Sequence, residues 1–155
     1  MAAAYPWHVV VSRFLLGAVL LATGLGKLLD LRGFAGVIET YHVLPEVLAW
    51  PAGIVLTLSE LALAAWLLRG RRLAPAGLVA AAMHLAYFGW SAVALLRGLD
   101  IANCGCFGIF LARPLTPWTL VEDGVLFLVA VILFVGAWRA EHPRSPVPSS
   151  IRGKR

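Results

Sequence analysis

Apolar residues collect in four long runs, separated by short segments that hold most of the charge. The runs extend from about Val9 to Leu29, Val47 to Leu68, Leu73 to Leu96 and Trp118 to Trp138. A bilayer core about 30 Å thick takes ~20 helical residues, and each run meets that length. The second run holds one charge, Glu60, and the third holds none but carries His84. The first run is bracketed by Arg13 and Lys27, with 13 uncharged residues between them. It is longer than the apolar region of a secretory signal and follows no basic cluster, which predicts a retained span.

The connections have their own patterns. Phe34, Val37, Ile38 and Tyr41 recur at the spacing of one helical face, with Arg32, Glu39 and His42 on the others. Pro45 closes this segment, because a proline disfavours helix in the residue before it. The pattern predicts a short helix in the first outer loop. It either lies on the membrane interface or packs its apolar residues into the mouth of the bundle. Arg69-Gly70-Arg71-Arg72 is a tight turn that makes spans two and three antiparallel neighbours. Thr116-Pro117 reads as the N-cap and first residue of span four. Small residues at helical spacing, Ala18, Ala22 and Gly26 in span one and Ala76 and Ala80 in span three, predict close helix contacts in lipid.

Composition supports the membrane reading. Of 155 residues, 61% are apolar and 14% charged, with a mean hydropathy of +0.86. A soluble domain has about 25% charged residues, so too few polar groups remain here to wet its surface. Disorder of the whole chain is excluded for the same reason. The expected fold is therefore all-α: an integral membrane four-helix bundle over residues 1–138. A disordered basic cytoplasmic tail follows over 139–155, rich in Pro, Ser and Arg. The net charge of +5 is placed at span ends, which points to the lipid bilayer and not to nucleic acid.

Four spans put both termini and the Arg69–Arg72 turn on one side. That side carries nine lysines and arginines, and the other side carries Lys27, Arg32, Arg97 and Arg113. The positive-inside rule makes the richer side cytoplasmic. The loops Asp30–Glu46 and Arg97–Pro117 then face outward, towards the periplasm of an inner membrane protein, where disulfides persist.

The second outer loop holds the only two cysteines, in Asn103-Cys104-Gly105-Cys106-Phe107-Gly108. Cys104 and Cys106 can join only across a bent backbone, which Gly105 permits. Strained pairs are the labile ones, and so short a loop constrains the unfolded chain little. A redox-active pair is expected, with a structural or partner-linked disulfide as the alternative. A metal would need two more ligands, with His42 and His84 the remaining donors, and none is assigned. Lys27, on the cysteine side, is a candidate thiolate stabiliser. Pairing with Glu122 or Asp123, or snorkelling to headgroups, are its other readings.

Arg13 and Glu60 lie within spans. Arg13 is fourteen residues below Lys27 and Glu60 thirteen below Val47, about 20 Å in each case at 1.5 Å per residue. Intramembrane charges are usually paired, so an Arg13–Glu60 ion pair is expected, with a structural role. His84, with Tyr87 one turn outward, is a candidate proton or quinone site, or else a histidine hydrogen-bonded to a neighbouring helix.

Gly24-Leu25-Gly26-Lys27-Leu28, then Phe34, Tyr41 and Leu44-Pro45, Glu60 in span two, and Cys104-Gly105-Cys106-Phe107-Gly108 before span four form a recognisable set. Over residues 10–138 the chain resembles the methylamine-utilisation protein MauE family, within the wider DoxX-like group of small four-helix membrane proteins. The resemblance implies a membrane protein that supports maturation of a disulfide-containing enzyme in methylamine metabolism, beside a thioredoxin-like, MauD-like partner. This chain carries no thioredoxin-like domain, so disulfide exchange would need that partner. The alternative is a non-enzymatic assembly scaffold or small transporter whose cysteines only fix the loop.

Overall fold

In a computed structural model, residues 5–143 are described, and every regular element among them is helical. The chain forms α1 (Trp7–Leu29), α2 (Leu31–Thr40), α3 (Glu46–Arg69), α4 (Leu73–Leu96) and α5 (Pro117–Glu141). Helices α1, α3, α4 and α5 are each long and apolar enough to cross a membrane. Helix α5 runs three residues past Trp138, to Glu141. Residues 144–155 of the expected tail lie outside the described residues.

Polarity is distributed as a lipid-facing bundle requires. Val55, Leu78 and Leu128 are each more than half exposed on the outer surface. Thr23, Lys27, Thr57, Glu60, His84 and Asp123 are buried inside. In water the first set would form an apolar surface far larger than a soluble monomer carries. In lipid it faces a solvent of its own kind, and Thr23, Lys27, Thr57 and Glu60 find hydrogen-bond partners within the bundle.

The turn at Gly70 joins antiparallel α3 and α4, and Gly70 takes a left-handed φ of 69°. The heavier packing is nevertheless between α1 and α3 and between α4 and α5, with α1 against α5 closing the bundle. Backbone approach explains this pairing. A Cβ on Gly77 of α4 would lie 2.8 Å from the backbone nitrogen of Phe134 in α5. One on Gly17 would lie 2.9 Å from Leu68, and one on Gly24 2.8 Å from Leu61, both in α3. Ala76 and Ala80 are buried, as the small-residue spacing predicts. The stripe expected in span one is corrected: Ala18 and Ala22 face outward. The buried face of α1 is instead Leu16, Gly17, Leu20, Thr23, Gly24 and Lys27. Glycine lets the helix axes approach closer than alanine does, so the glycines set the contact face.

The Gly77 contact is directly testable. Gly77→Ala should separate α4 from α5 at an overpacking cost of ~1–3 kcal/mol. Gly89→Ala in the same helix meets nothing within 4 Å and serves as the control. Thermal unfolding in detergent micelles should show a lower Tm for the first and no loss for the second.

Helix α2 packs into the mouth of the bundle. Asp30 caps it, its Oδ1 accepting from the Gly33 N–H at 2.8 Å. Phe34, Val37, Ile38 and Tyr41 are buried together with Ala49, Ala94, Ile101 and Leu115. The first turns of α3 project beyond the end of α1, and α2 fills the space this leaves.

Candidate functional site

Antiparallel register between α1 and α3 determines which charges meet. Gly17 lies against Leu67 and Leu68, and Gly24 against Glu60 and Leu61. One turn beyond Gly24, Lys27 reaches Glu60: its Nζ donates to Oε1 at 2.5 Å, with both side chains buried. The same register carries Arg13 to the far end, where its guanidinium lies against Gly70 and its Cζ 4.4 Å from the Phe14 ring. The expected Arg13–Glu60 ion pair is thus corrected to Lys27–Glu60. Equal depth below an assumed boundary was misleading because α3 starts well outside the end of α1.

Three donors hold the Glu60 carboxylate. Besides Lys27, the Tyr87 hydroxyl donates to Oε1 at 2.6 Å. Thr23 Oγ1 donates to Oε2 at 3.2 Å. A carboxylate taken out of water needs such donors to offset its desolvation. Lys27 Nζ also stands 5.3 Å from the Phe34 ring centroid and 5.5 Å from that of Tyr87, which spreads favourable contacts around the ammonium. Tyr87 is therefore committed to Glu60. His84 packs edge-on to Tyr87 at 6.3 Å between ring centroids. Among the described residues neither of its ring nitrogens has a hydrogen-bond partner, so the histidine bond to a neighbouring helix is not made.

The cysteine loop sits on top of this cluster. Gly105 and Gly108 take φ values of 78° and 71°, conformations that favour glycine. Asn103 braces the turn, donating from Nδ2 to the Gly108 carbonyl at 3.1 Å and accepting from the Gly105 N–H at 3.0 Å. The Cys104 N–H donates to the Arg113 carbonyl at 2.8 Å, and the Tyr41 hydroxyl donates to the Cys104 carbonyl at 2.8 Å. Burial, followed by the nearby cysteines, pushes the Tyr41 phenol up, so it remains a protonated donor.

The loop meets α1 backbone to backbone. A Cβ on Gly26 would lie 2.5 Å from the Phe107 carbonyl oxygen, and one on Gly108 would overlap the Gly26 carbonyl. On the other side, a Cβ on Gly105 would lie 2.9 Å from Val37 and 3.2 Å from Phe34 of α2. The Gly-Leu-Gly-Lys of α1 and the Cys-Gly-Cys-Phe-Gly of the loop are thus two halves of one contact. Sequence reasoning missed this contact, along with Thr23 and Tyr41 as site residues. The glycines flanking Lys27 and Cys106 were the available signal.

Cys104 and Cys106 are free thiols, half-buried, with their sulfurs 2.8 Å apart. The shared hydrogen bond, with help from Arg113, lowers the Cys104 thiol to a pKa of about 6. The same hydrogen bond and burial push Cys106 up, while Lys27 pulls it down. Cys104 is thus the more acidic thiol, and Cys106 is the one that keeps its proton. Arg113 is itself held by Glu122 through two hydrogen bonds, at 3.1 and 2.6 Å.

A multi-pass membrane protein, with a paired-cysteine loop seated on a buried lysine–glutamate cluster, is the class that fold and site define. The family described as methylamine utilisation protein MauE matches residues 5–136. The methylamine utilization protein MauE of Paracoccus denitrificans is 31% identical over 131 residues, covering 84% of this chain and 70% of that protein. The chain belongs to the MauE family. No solved structure matches it significantly.

Proposed function

We propose that this protein exchanges a disulfide through Cys104 and Cys106 with a thioredoxin-like partner of the MauD kind, in support of a disulfide-containing enzyme of methylamine metabolism. The observation that carries this reading is the thiol pair itself: two facing sulfurs with unlike acidities on a half-exposed loop. The charge asymmetry supports an outward, periplasmic loop and cytoplasmic termini in the inner membrane.

The steps follow from exchange chemistry. The Cys104 thiolate attacks one sulfur of the partner disulfide. That bond breaks, and its electron pair leaves on the partner's other sulfur. The Cys106 thiol then gives up its proton, which neutralises the departing partner thiolate, and attacks Cys104 Sγ. The Cys104–Cys106 bond forms, the bond from Cys104 to the partner breaks, and the partner leaves with both sulfurs reduced. Two electrons and the Cys106 proton have passed to the partner, whose second thiolate takes its proton from solvent. The reverse sequence passes them the other way.

Thiol trapping in intact membranes tests this. Both oxidised and reduced forms are expected, with their ratio dependent on the partner. Cys106→Ser is expected to accumulate a mixed disulfide through Cys104. A pair locked in one state, with Cys→Ser variants fully functional, would favour the scaffold or transporter reading.

A further inference from the structure

Lys27 is in contact with two things. Its Nζ is 2.5 Å from Glu60 on the inner side. On the outer side its own backbone nitrogen lies 3.0 Å from where a Gly108 Cβ would be, so the residue is clamped under the cysteine loop. The Phe34 ring lies against both the ammonium and Gly105. The Tyr87 hydroxyl on α4 holds Glu60 Oε1 beside Lys27, and the Thr23 hydroxyl on α1, shared with the Leu20 carbonyl, stands against Oε2.

From this arrangement we infer that Glu60 is a positioning residue that acts through Lys27 to set the reduction potential of the Cys104–Cys106 pair. The inference rests on the redox reading of that pair. The physical reason is competition for one cation. The reduced pair carries its negative charge in a shared S···H···S arrangement, one Phe34 ring away from the Lys27 ammonium, which pulls the Cys106 thiol down. A bare ammonium would stabilise that charge, and with it the reduced form, making the disulfide a stronger oxidant. Glu60 at hydrogen-bond distance cancels much of that field. It thereby holds the pair at a less oxidising potential than Lys27 alone would give.

Other groups face the thiols too. Glu122 pushes the Cys104 thiol up and Asp123 pushes the Cys106 thiol up, and Arg113 opposes Glu122 at Cys104. None of these three is hydrogen-bonded to Glu60 or Lys27 among the described residues. Removing the Glu60 or Lys27 charge leaves the Arg113–Glu122 pair in place.

The prediction is a pair of opposite shifts. In purified protein in detergent, titrated against a thiol–disulfide buffer with alkylation trapping, Glu60→Gln should make the pair more oxidising and Lys27→Gln less so. Each change should be about tenfold in the exchange equilibrium constant, or ~30 mV for a two-electron couple. The Lys27→Gln/Glu60→Gln double variant should return close to wild type. Glu60→Asp keeps the charge but draws it back from Lys27. It should shift in the same direction as Glu60→Gln by less, and it serves if Glu60→Gln does not fold. Shifts of the same sign in the two single variants, or no shift in folded protein, overturn the inference, because a purely structural pair would give one of those. No partner protein is present in this titration. A pair that never exchanges in membranes would sink the functional proposal while leaving this result intact.

Discussion

Glu60→Leu should lose most of the folded protein, and adding Lys27→Met should restore most of it, whereas adding Arg13→Gln should restore none. The single change leaves the Lys27 ammonium buried without its carboxylate and removes the acceptor of Tyr87 and Thr23. Breaking a buried ion pair from one side costs about 3–5 kcal/mol, comparable to a large part of a domain's net stability. Replacing both partners with apolar groups of similar volume removes the unpaired charge, and such swaps are often neutral. Arg13 sits at the Gly70 end, so neutralising it relieves nothing near Lys27. The measurement is the yield of monodisperse protein in detergent, with thermal unfolding for variants that fold. Rescue by Arg13→Gln, or none by Lys27→Met, would contradict the observed pairing.

Removing the Cys106 sulfur changes the titration of Cys104. In the reduced wild-type protein, Cys104 alkylation should be half-maximal near pH 6. Cys106→Ala deletes the largest cause of that lowering, the hydrogen bond from the neighbouring sulfur. The midpoint should rise towards the ordinary thiol value of about 8.5. At pH 7 the thiolate fraction falls by more than about tenfold over such a shift. The more basic thiolate is intrinsically more nucleophilic, so the midpoint of the pH profile is the quantity to read and not the plateau rate. The sign for stability follows from the same shift. A depressed thiol pKa favours the folded thiolate, so its contribution is present above the ordinary thiol range and is lost as pH falls through about 6. Cys106→Ala should flatten that part of the stability profile. A Cys104 midpoint that stays near 6 in this variant would show that Arg113, not the second sulfur, controls the nucleophile.

Much of the molecule was legible one residue at a time. The four spans, the short helix with its Phe34–Tyr41 face, and the cap at Thr116-Pro117 each follow from a local period or a local backbone preference. These are properties of a single helix and its immediate solvent, so no partner is needed to read them. The cysteine pair was legible for the same reason, since two residues and the glycine between them form a local unit.

What was not legible was register between helices. Lys27 and Arg13 are both cations on α1, and depth counting gave Glu60 to the wrong one. The choice depends on how far α3 slides past α1. That slide is set by where Gly17 and Gly24 admit Leu68 and Leu61, and by α2 filling the space beside the first turns of α3. The small-residue stripe failed similarly, because alanine spacing does not say which face meets a partner.

The sequence by itself determined that this is a four-span membrane protein of the MauE family, with two cysteines in one loop. Hydrophobic length, helical period and local motifs are short-range and survive in one dimension. Only the tertiary structure decided that Lys27 is shared between Glu60 and that loop. Gly26 and Gly108 are 82 positions apart in the chain and touch only after the helices have packed.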